Sequence, residues 1–279
     1  MRMRRLGVAI TLTAKELVRR RVVVLMLLVV PTVFYGVILA ITTTKPIDFQ
    51  LAAIEEEDYV RVAQRDEALV FIGLAAVGVL TAFLGLNLAQ RDFEACRRLV
   101  VCGYRPWELA LSRLAVLVGV VFGVSVLAVA VLPLFFSVGH IVMVAAGFAL
   151  CGWVYGCYGL AVGAFLRQEL EGVLFVALLA NLDIGWLQNP IYYAHAQNQA
   201  VIRSLPGFLP SQVAMAAAFS EHDLSALIPP LIAGFGYGGL LLAVALGAVA
   251  WRMRVTVSPG KTPRPWWGQA PARKGDARA

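Results

Sequence analysis

The sequence predicts an all-α integral membrane protein with six transmembrane helices. Hydrophobic residues make up 60% of the chain and charged residues only 15%, whereas charged residues are about a quarter of a typical soluble domain. In addition, six apolar runs of about the length that crosses a bilayer alternate with polar or turn-forming segments. The predicted spans are residues 22–43, 68–89, 109–136, 141–165, 172–187 and 224–251.

The segment before the first span, residues 1–21, predicts an amphipathic helix on the membrane surface. Leu6, Ile10 and Leu17 recur at helical spacing, whereas basic residues occupy other faces. Such a helix lies along the membrane with its apolar side among the headgroups. The alternative is an ordinary basic flank of the first span. At the other end, residues 252–279 are basic and rich in proline and glycine, which predicts a disordered tail.

The distribution of positive charge predicts the orientation in the membrane. Six spans place both ends of the chain on one side, together with the segments after the second and fourth spans. That side carries 20 of the 24 lysines and arginines, and the other side carries four. Because positive charge is retained inside the cell, we expect both termini in the cytoplasm. The net charge of +7 therefore reflects topology and does not indicate nucleic-acid binding.

The most unusual polar segment is residues 90–109, QRDFEACRRLVVCGYRPWEL, between the second and third spans. It mixes four arginines and three acids with aromatic and aliphatic residues, and Pro106 follows Gly103 where a helix would begin. A solvated loop needs these polar residues but not the apolar ones. We therefore expect a docking surface for a soluble partner inside the cell. The alternative is a basic loop that only fixes the topology.

The fourth span carries a glycine face. Gly152, Gly156, Gly159 and Gly163 are separated by steps of four, three and four residues, so they share one side of a helix. Glycines let a second helix approach closely, and helix association in lipid depends on such packing. This face is therefore predicted to pack against another span.

Asp183 is the acidic residue that the predicted spans contain. Charges inside a bilayer are costly, and ion-coupled carriers keep them along the ion path. Their scarcity argues against a proton- or sodium-driven carrier. Asp183 is predicted toward the outer end of the fifth span, where it could line the mouth of a substrate path. The alternative is a carboxylate that reaches the interface or caps the broken helix.

Two short motifs suggest an enzyme of another class. Residues 56–61 fit EExxxR and residues 136–140 fit FxxxH, which resemble two motifs of the intramembrane metal-dependent proteases. In such an enzyme a carboxylate and a histidine would activate water. The third motif of that family is absent, since Gln199 stands four residues after His195. Residues 260–262 resemble the end of a phosphate-binding loop, but a proline follows where the loop needs a helix.

The remaining candidate side chains predict no metal site. The four cysteines form two C-x5-C pairs, whose spacing is not that of zinc or redox motifs, so we expect neither a disulfide nor a bound metal. The three histidines are scattered along the chain. Trp186, Tyr192, Tyr193 and Phe208 are interpreted as an aromatic belt at the outer interface. The alternative is that they cover an exit for an apolar substrate.

The order of these segments resembles the permease subunit of ABC-2-type exporters over nearly the whole chain apart from the tail. The shared order is an N-terminal surface helix, a charged segment between spans two and three, six spans, and short outer re-entrant helices between spans five and six. Locally, Glu94 and Pro106 match the glutamate of the family's E-x-G-T-x-x-x-L pattern and the proline that follows it. Ala95 and Cys96 stand where the pattern has Gly-Thr.

The resemblance implies an exporter subunit that moves a lipophilic or amphipathic substrate, such as a drug, an antibiotic or a lipid, out of the cell. It implies two permease chains, as a homodimer or a related heterodimer, in a bacterial cytoplasmic membrane. Separate ATPase subunits would hold ATP and Mg²⁺, so this chain would carry no cofactor and would not itself be an enzyme. Permeases for haem, copper-site maturation or a lipid-linked polymer are alternatives within the same class, and a non-transporting scaffold is a third class.

The resemblance also implies roles for particular residues. The ATPase would dock on the charged segment and on the N-terminal helix, residues 6–20. The docking residues would be Arg91, Asp92, Phe93, Glu94, Arg97, Arg98, Tyr104, Arg105 and Trp107. Spans one, two and five would line the route, where the candidate substrate-path residues are Tyr35, Asn181 and Asp183.

Overall fold

The computed structural model describes residues 2–51, 59–90, 106–166, 168–194, 196–219 and 224–255, and within them the chain is almost entirely helical. The α-helices are α1 (Arg2–Arg19), α2 (Arg21–Ile41), α3 (Gln64–Gln90), α4 (Pro106–Val131), α5 (Ile141–Phe165), α6 (Glu169–Leu182), α7 (Pro190–Ala194), α8 (Gln199–Arg203), α9 (Phe208–Phe219) and α10 (Ile228–Val255). The shorter elements are a 3₁₀ turn after α4 (Leu132–Leu134), a π turn after α6 (Asp183–Leu187), a 3₁₀ turn before α10 (Leu224–Leu227) and the strands β1 (Pro46–Gln50) and β2 (Tyr59–Ala63).

Six helical segments are long and apolar enough to cross a membrane. They are Val23–Ile41, Gln64–Gln90, Glu108–Leu134, Ile141–Phe165, Glu169–Leu187 and Ser225–Trp251. The prediction of a helical, multi-pass membrane protein is thereby confirmed at this level. The second segment begins four residues before the predicted span, since a helix continues past the first charged residue that limits an apolar run.

The predicted polar loop between the first two spans is partly wrong, because it contains an antiparallel hairpin of β1 and β2. Ile47 pairs with Val62, and Asp48 pairs with Arg61. Apolar and polar residues alternate in both strands, which is the period of a half-buried strand. Phe49 is fully buried, so the hairpin covers the ends of the helices. This end of the molecule is called the hairpin end, and the opposite end, which carries α1, is called the α1 end.

Helices α3 and α5 form the centre of the bundle. In the most apolar part of α3, 83% of the residues are buried, whereas the share is 11% in α2 and 22% in α10. In lipid, an apolar face can stay exposed without the penalty that water would impose. The exposed faces of α2 and α10 are therefore consistent with contact with lipid tails.

The glycine face of α5 lies against both α3 and α4. A Cβ on Gly159 would overlap the carbonyl oxygen of Ala82, and a Cβ on Gly152 would lie 2.8 Å from a methyl carbon of Val121 in α4. Gly85 of α3 faces this seam, since its own Cβ would overlap the carbonyl oxygen of Gly156. The helices α3 and α5 therefore approach backbone to backbone, which only residues without a side chain allow.

Tyr35 joins three helices at the hairpin half of the bundle. It is 4% exposed, and its hydroxyl donates to the carbonyl oxygen of Ala128 in α4 at 3.1 Å. Its ring tip lies against Gly73 of α3, where any side chain would collide with it. Tyr35 is therefore a packing residue of α2, and its role on a substrate path stays a prediction.

We expect Tyr35→Phe to lower the free energy of unfolding by about 1 kcal/mol, since one interhelical hydrogen bond is lost and packing is kept. The measurement is a denaturant titration of the purified chain in mixed micelles. Tyr192→Phe is the matched control, because Tyr192 is 56% exposed. Equal losses in the two variants would show that the hydroxyl of Tyr35 contributes nothing specific.

Candidate functional site

A buried polar cluster surrounds Asp183 in the hairpin half of the bundle. Asp183 is 5% exposed and accepts three hydrogen bonds. The hydroxyl of Tyr155 donates to Oδ2 at 2.6 Å, the side-chain amide of Gln188 donates to Oδ1 at 2.7 Å, and the backbone N–H of Gly207 donates to Oδ2 at 2.9 Å. Hydrogen bonds to a carboxylate are about twice as strong as those between neutral groups. One side chain thus connects three separate parts of the chain.

The backbone leaves the regular helix at Asp183. Asp183 is the C-cap of α6, and the chain continues through a π turn before α7 begins at Pro190. Turns of this kind leave the regular helix pattern and occur often at functional sites. The chain then returns over the bundle as α7, α8 and α9, which brings Gly207 back to the carboxylate.

Gly207 is needed where it lies. A Cβ there would be 2.7 Å from the hydroxyl oxygen of Tyr155 and 2.9 Å from Oδ1 of Asp183. These separations are shorter than real Cβ contacts, so any other residue would displace the cluster. A glycine is therefore required by close approach and not by backbone conformation.

Two buried polar atoms at the cluster lack a partner in the described part of the chain. They are Oε1 of Gln188 and the hydroxyl oxygen of Tyr158. The ring of Tyr158 packs edge-on against that of Tyr155, with 6.4 Å between the centroids. Buried polar atoms are usually paired, so a polar group of another molecule or a water could bind here.

Asp183 is buried, so its carboxylate does not reach the surface of the chain. It directly follows α6, and its role on a substrate path stays a prediction. Asn181 lies on the exposed side of α6 and donates to the carbonyl oxygen of Ala177 at 2.7 Å, within its own helix. The three predicted substrate-path residues, which include Tyr35, are therefore not brought together at one surface.

Only two of the four side chains predicted for the aromatic belt are exposed. Trp186 and Tyr192 are 55% and 56% exposed, and their rings meet edge-on at 6.0 Å. Tyr193 and Phe208 are buried and pack against each other instead, under α8. The fold-back of α7 to α9 places the second pair inside, which adjacency in sequence does not reveal.

Two further buried acids lie at the beginnings of long helices. Glu67 lies in the first turn of α3 at 2% exposure, and Glu108 lies in the first turn of α4 at 4% exposure. Both fall just outside the predicted spans, but the helices extend over them. Oε1 of Glu67 has no partner among the residues with described positions.

The α1 end assembles the elements that flank the charged segment. Leu17 of α1 packs against the apolar cluster that contains Leu84 of α3 and Leu117 of α4. Leu88 and Leu114, nearer to the ends of these helices, pack against the same cluster. Helix α1 therefore packs against α4, the helix that begins directly after the charged segment.

A glutamine closes this end of the bundle. Gln90, the last residue of α3, donates its side-chain amide to the carbonyl oxygens of Leu166 and Gln168, both at 3.3 Å. Gly163 and Gly172 leave the room that it occupies. The connection between α5 and α6 is thereby fastened to the start of the charged segment.

The predicted docking residues lie mostly outside the described residues. These are Arg91, Asp92, Phe93, Glu94, Arg97, Arg98, Tyr104 and Arg105. Trp107 belongs to the first turn of α4, but its side chain likewise lies outside the described part of the chain.

The protease-like motifs gain no support from the described residues. The glutamates of the EExxxR motif lie outside them, and His140 precedes α5, where its backbone N–H donates to the carbonyl oxygen of Ala217 at 2.9 Å. Across the described positions, no three His, Cys, Asp or Glu residues are grouped as metal ligands. Cys151 and Cys157 are free and buried.

Comparison with protein-family models finds no match for this chain, and comparison with curated proteins finds none either.

Proposed function

We propose that this chain is the permease subunit of an ATP-driven ABC-2-type exporter. Three features support the proposal: six apolar helices, a separate helix before the first of them, and three short helices between the fifth and the sixth. In this proposal α1 is the interfacial helix, and α7 to α9 are the outer re-entrant helices. The hairpin end faces outward, and both termini lie in the cytoplasm of a bacterial cell.

The observation that carries the proposal is the packing of α1 on α4, which begins where the charged segment ends. Leu17 shares an apolar cluster with α3 and α4, and Gln90 connects the same place to the turn before α6. A protein that binds residues 91–107 would therefore push on four helices at once. A chain without an ATP site of its own needs such a contact to receive work from a separate ATPase.

The substrate class follows from what the bundle offers. The exposed faces of α2 and α10 are apolar, and β1 and β2 form a small hairpin at the outer end. Such a surface suits a compact lipophilic or amphipathic cargo that enters from the bilayer. We propose a drug, an antibiotic or a lipid, carried by a pair of these chains.

The docking proposal predicts that Glu94→Arg combined with Arg98→Glu disrupts the complex. Charged groups at an interface fix register and association rate, and truncation of a buried pair costs about 2–5 kcal/mol. We expect the amount of ATPase that co-purifies with the tagged chain to fall roughly tenfold or more. ATP-dependent efflux of a fluorescent lipophilic dye from vesicles should fall with it.

The matched control reverses an exposed charge pair at the opposite end, with Asp48→Arg and Arg61→Asp. These side chains lie across the hairpin at 3.8 Å, and such exposed pairs contribute little to stability. This variant should keep its ATPase. If no protein with a phosphate-binding loop co-purifies with the unaltered chain, or if both variants retain it equally, the docking proposal is wrong.

A further inference from the structure

The outward side of α1 carries an unpartnered stripe of two apolar and two basic residues. Val8, Leu12, Lys15 and Arg19 follow at steps of four, three and four residues, so they share one face of the helix. All four are exposed, Val8 by 52% and Leu12 by 62%. The opposite side, which includes Leu17, packs onto the bundle.

The two basic residues of the stripe have no counter-charge in the described part of the chain. The acid on α1 is Glu16, and Arg20 already forms a salt bridge with it. Neither Lys15 nor Arg19 has an acidic partner among the described residues. The stripe thus presents two positive charges beside exposed aliphatic side chains, which is the pattern of a surface that meets anionic lipid.

The position of α1 at the edge of the bilayer follows from its connection to α2. A single residue, Arg20, separates the two helices. Only 11% of the residues in the apolar part of α2 are buried, so most of this helix is open to lipid. The end of α1 that carries Lys15 and Arg19 is therefore held where lipid headgroups lie.

We infer that the stripe Val8–Leu12–Lys15–Arg19 is a binding surface for anionic phospholipid headgroups. The aliphatic pair enters the acyl boundary, and the basic pair binds phosphate oxygens. Both basic side chains are long enough to keep their stems on apolar surface while their charges reach the headgroup. The surface selects anionic over zwitterionic lipid, because only the former leaves net negative charge for two cations to neutralise.

The first test is native mass spectrometry of the full chain with phosphatidylglycerol and phosphatidylcholine of identical acyl chains. The unaltered chain should bind phosphatidylglycerol more tightly. Lys15→Gln with Arg19→Gln should weaken that binding roughly 25-fold, about fivefold for each charge near the surface. Binding of phosphatidylcholine should stay unchanged, and the preference should shrink as ionic strength rises.

The matched control is Lys45→Gln with Arg61→Gln, which removes two exposed positive charges from the hairpin end. This variant should keep the preference for phosphatidylglycerol. If the unaltered chain binds both lipids alike, or if the control loses as much as the α1 variant, the inference is wrong. It is also wrong if the α1 variant loses a bound ATPase while its lipid preference is unchanged.

A second measurement needs no substitution. A photoactivatable phosphatidylglycerol in vesicles with the full chain should label peptides that span residues 8–19. Labelling that leaves this helix unmarked would overturn the inference. Both measurements use this chain alone. Failure to find an ATPase would therefore refute the proposed function but would not contradict the inferred lipid-binding surface.

Discussion

Gly159→Val is expected to prevent stable assembly of the bundle. A Cβ at this position would overlap the carbonyl oxygen of Ala82 and lie 2.9 Å from the backbone nitrogen of Leu86. Backbone atoms of a central helix cannot move aside as a flexible side chain does. Overpacking of this kind costs about 3 kcal/mol or more, and here it separates the two central helices, α3 and α5. The measurement is the yield of monodisperse protein and its thermal unfolding in mild detergent.

The control for this substitution is a glycine on an open side of a helix. A Cβ added to Gly119 of α4 or to Gly36 of α2 would have no neighbouring atom within 4 Å among the described residues. Gly119→Val and Gly36→Val carry the same change in helix propensity but meet no neighbour. Both should fold like the unaltered chain. If they lose as much stability as Gly159→Val, then the change in helix propensity explains the loss, and the close contact between α3 and α5 does not.

Asp183→Leu is expected to detach α7 and α8 from the spans, whereas α9 keeps its own apolar packing on the bundle. The donors on Tyr155, Gln188 and Gly207 would lose their common acceptor inside the protein. Breaking a buried charged network by removing one member costs about 3–5 kcal/mol. We expect helix content to persist while residues 188–207 become sensitive to added protease. Limited proteolysis followed by mass spectrometry measures this directly.

Asp183→Asn provides the discriminating control. Its carbonyl oxygen can still accept from Tyr155 and Gly207, and its NH₂ group can donate to Oε1 of Gln188 once that amide rotates. The rotation gives up the long hydrogen bond, at 3.4 Å, from this amide to the carbonyl oxygen of Ile202, and it pairs Oε1, which has no partner in the described structure. We expect a cost of only about 1 kcal/mol. Equal damage by Asn and Leu would show that the charge itself, and not the count of acceptors, holds the cluster.

The spans were predictable because apolar length alone determines whether a helix can cross a bilayer. The glycine spacing of α5 indicated a packing face, but it could not tell which helices would meet it. The hairpin was missed because its strands are five residues each, and their alternation is easily hidden inside a charged loop. Glu67 and Glu108 lie outside the predicted spans because an apolar run ends at the first charged residue, whereas the helix continues past it.

Only one member of the buried cluster around Asp183 can be recognised from the sequence. Asp183 stood out as an acid in an apolar run, which was a usable signal. Its partners carry no such signal, since Tyr155 resembles any aromatic residue in an apolar helix and Gly207 resembles an ordinary turn residue. They lie 28 and 24 residues away along the chain, and only tertiary packing brings them to one carboxylate. The signal that could have found them is a buried acid's need for donors.

The acceptor at Asp183 also imposes an order on biogenesis. Tyr155 is synthesised before Asp183, and Gln188 follows it by five residues, but Gly207 emerges 24 residues later. Synthesis proceeds at about 5–20 residues per second, so for about 1–5 seconds Asp183 lacks the hydrogen bond from Gly207. During this interval Asp183 of the fifth span would be hydrogen-bonded to Tyr155 of the fourth span. Its third hydrogen bond would form only after Gly207 has been synthesised.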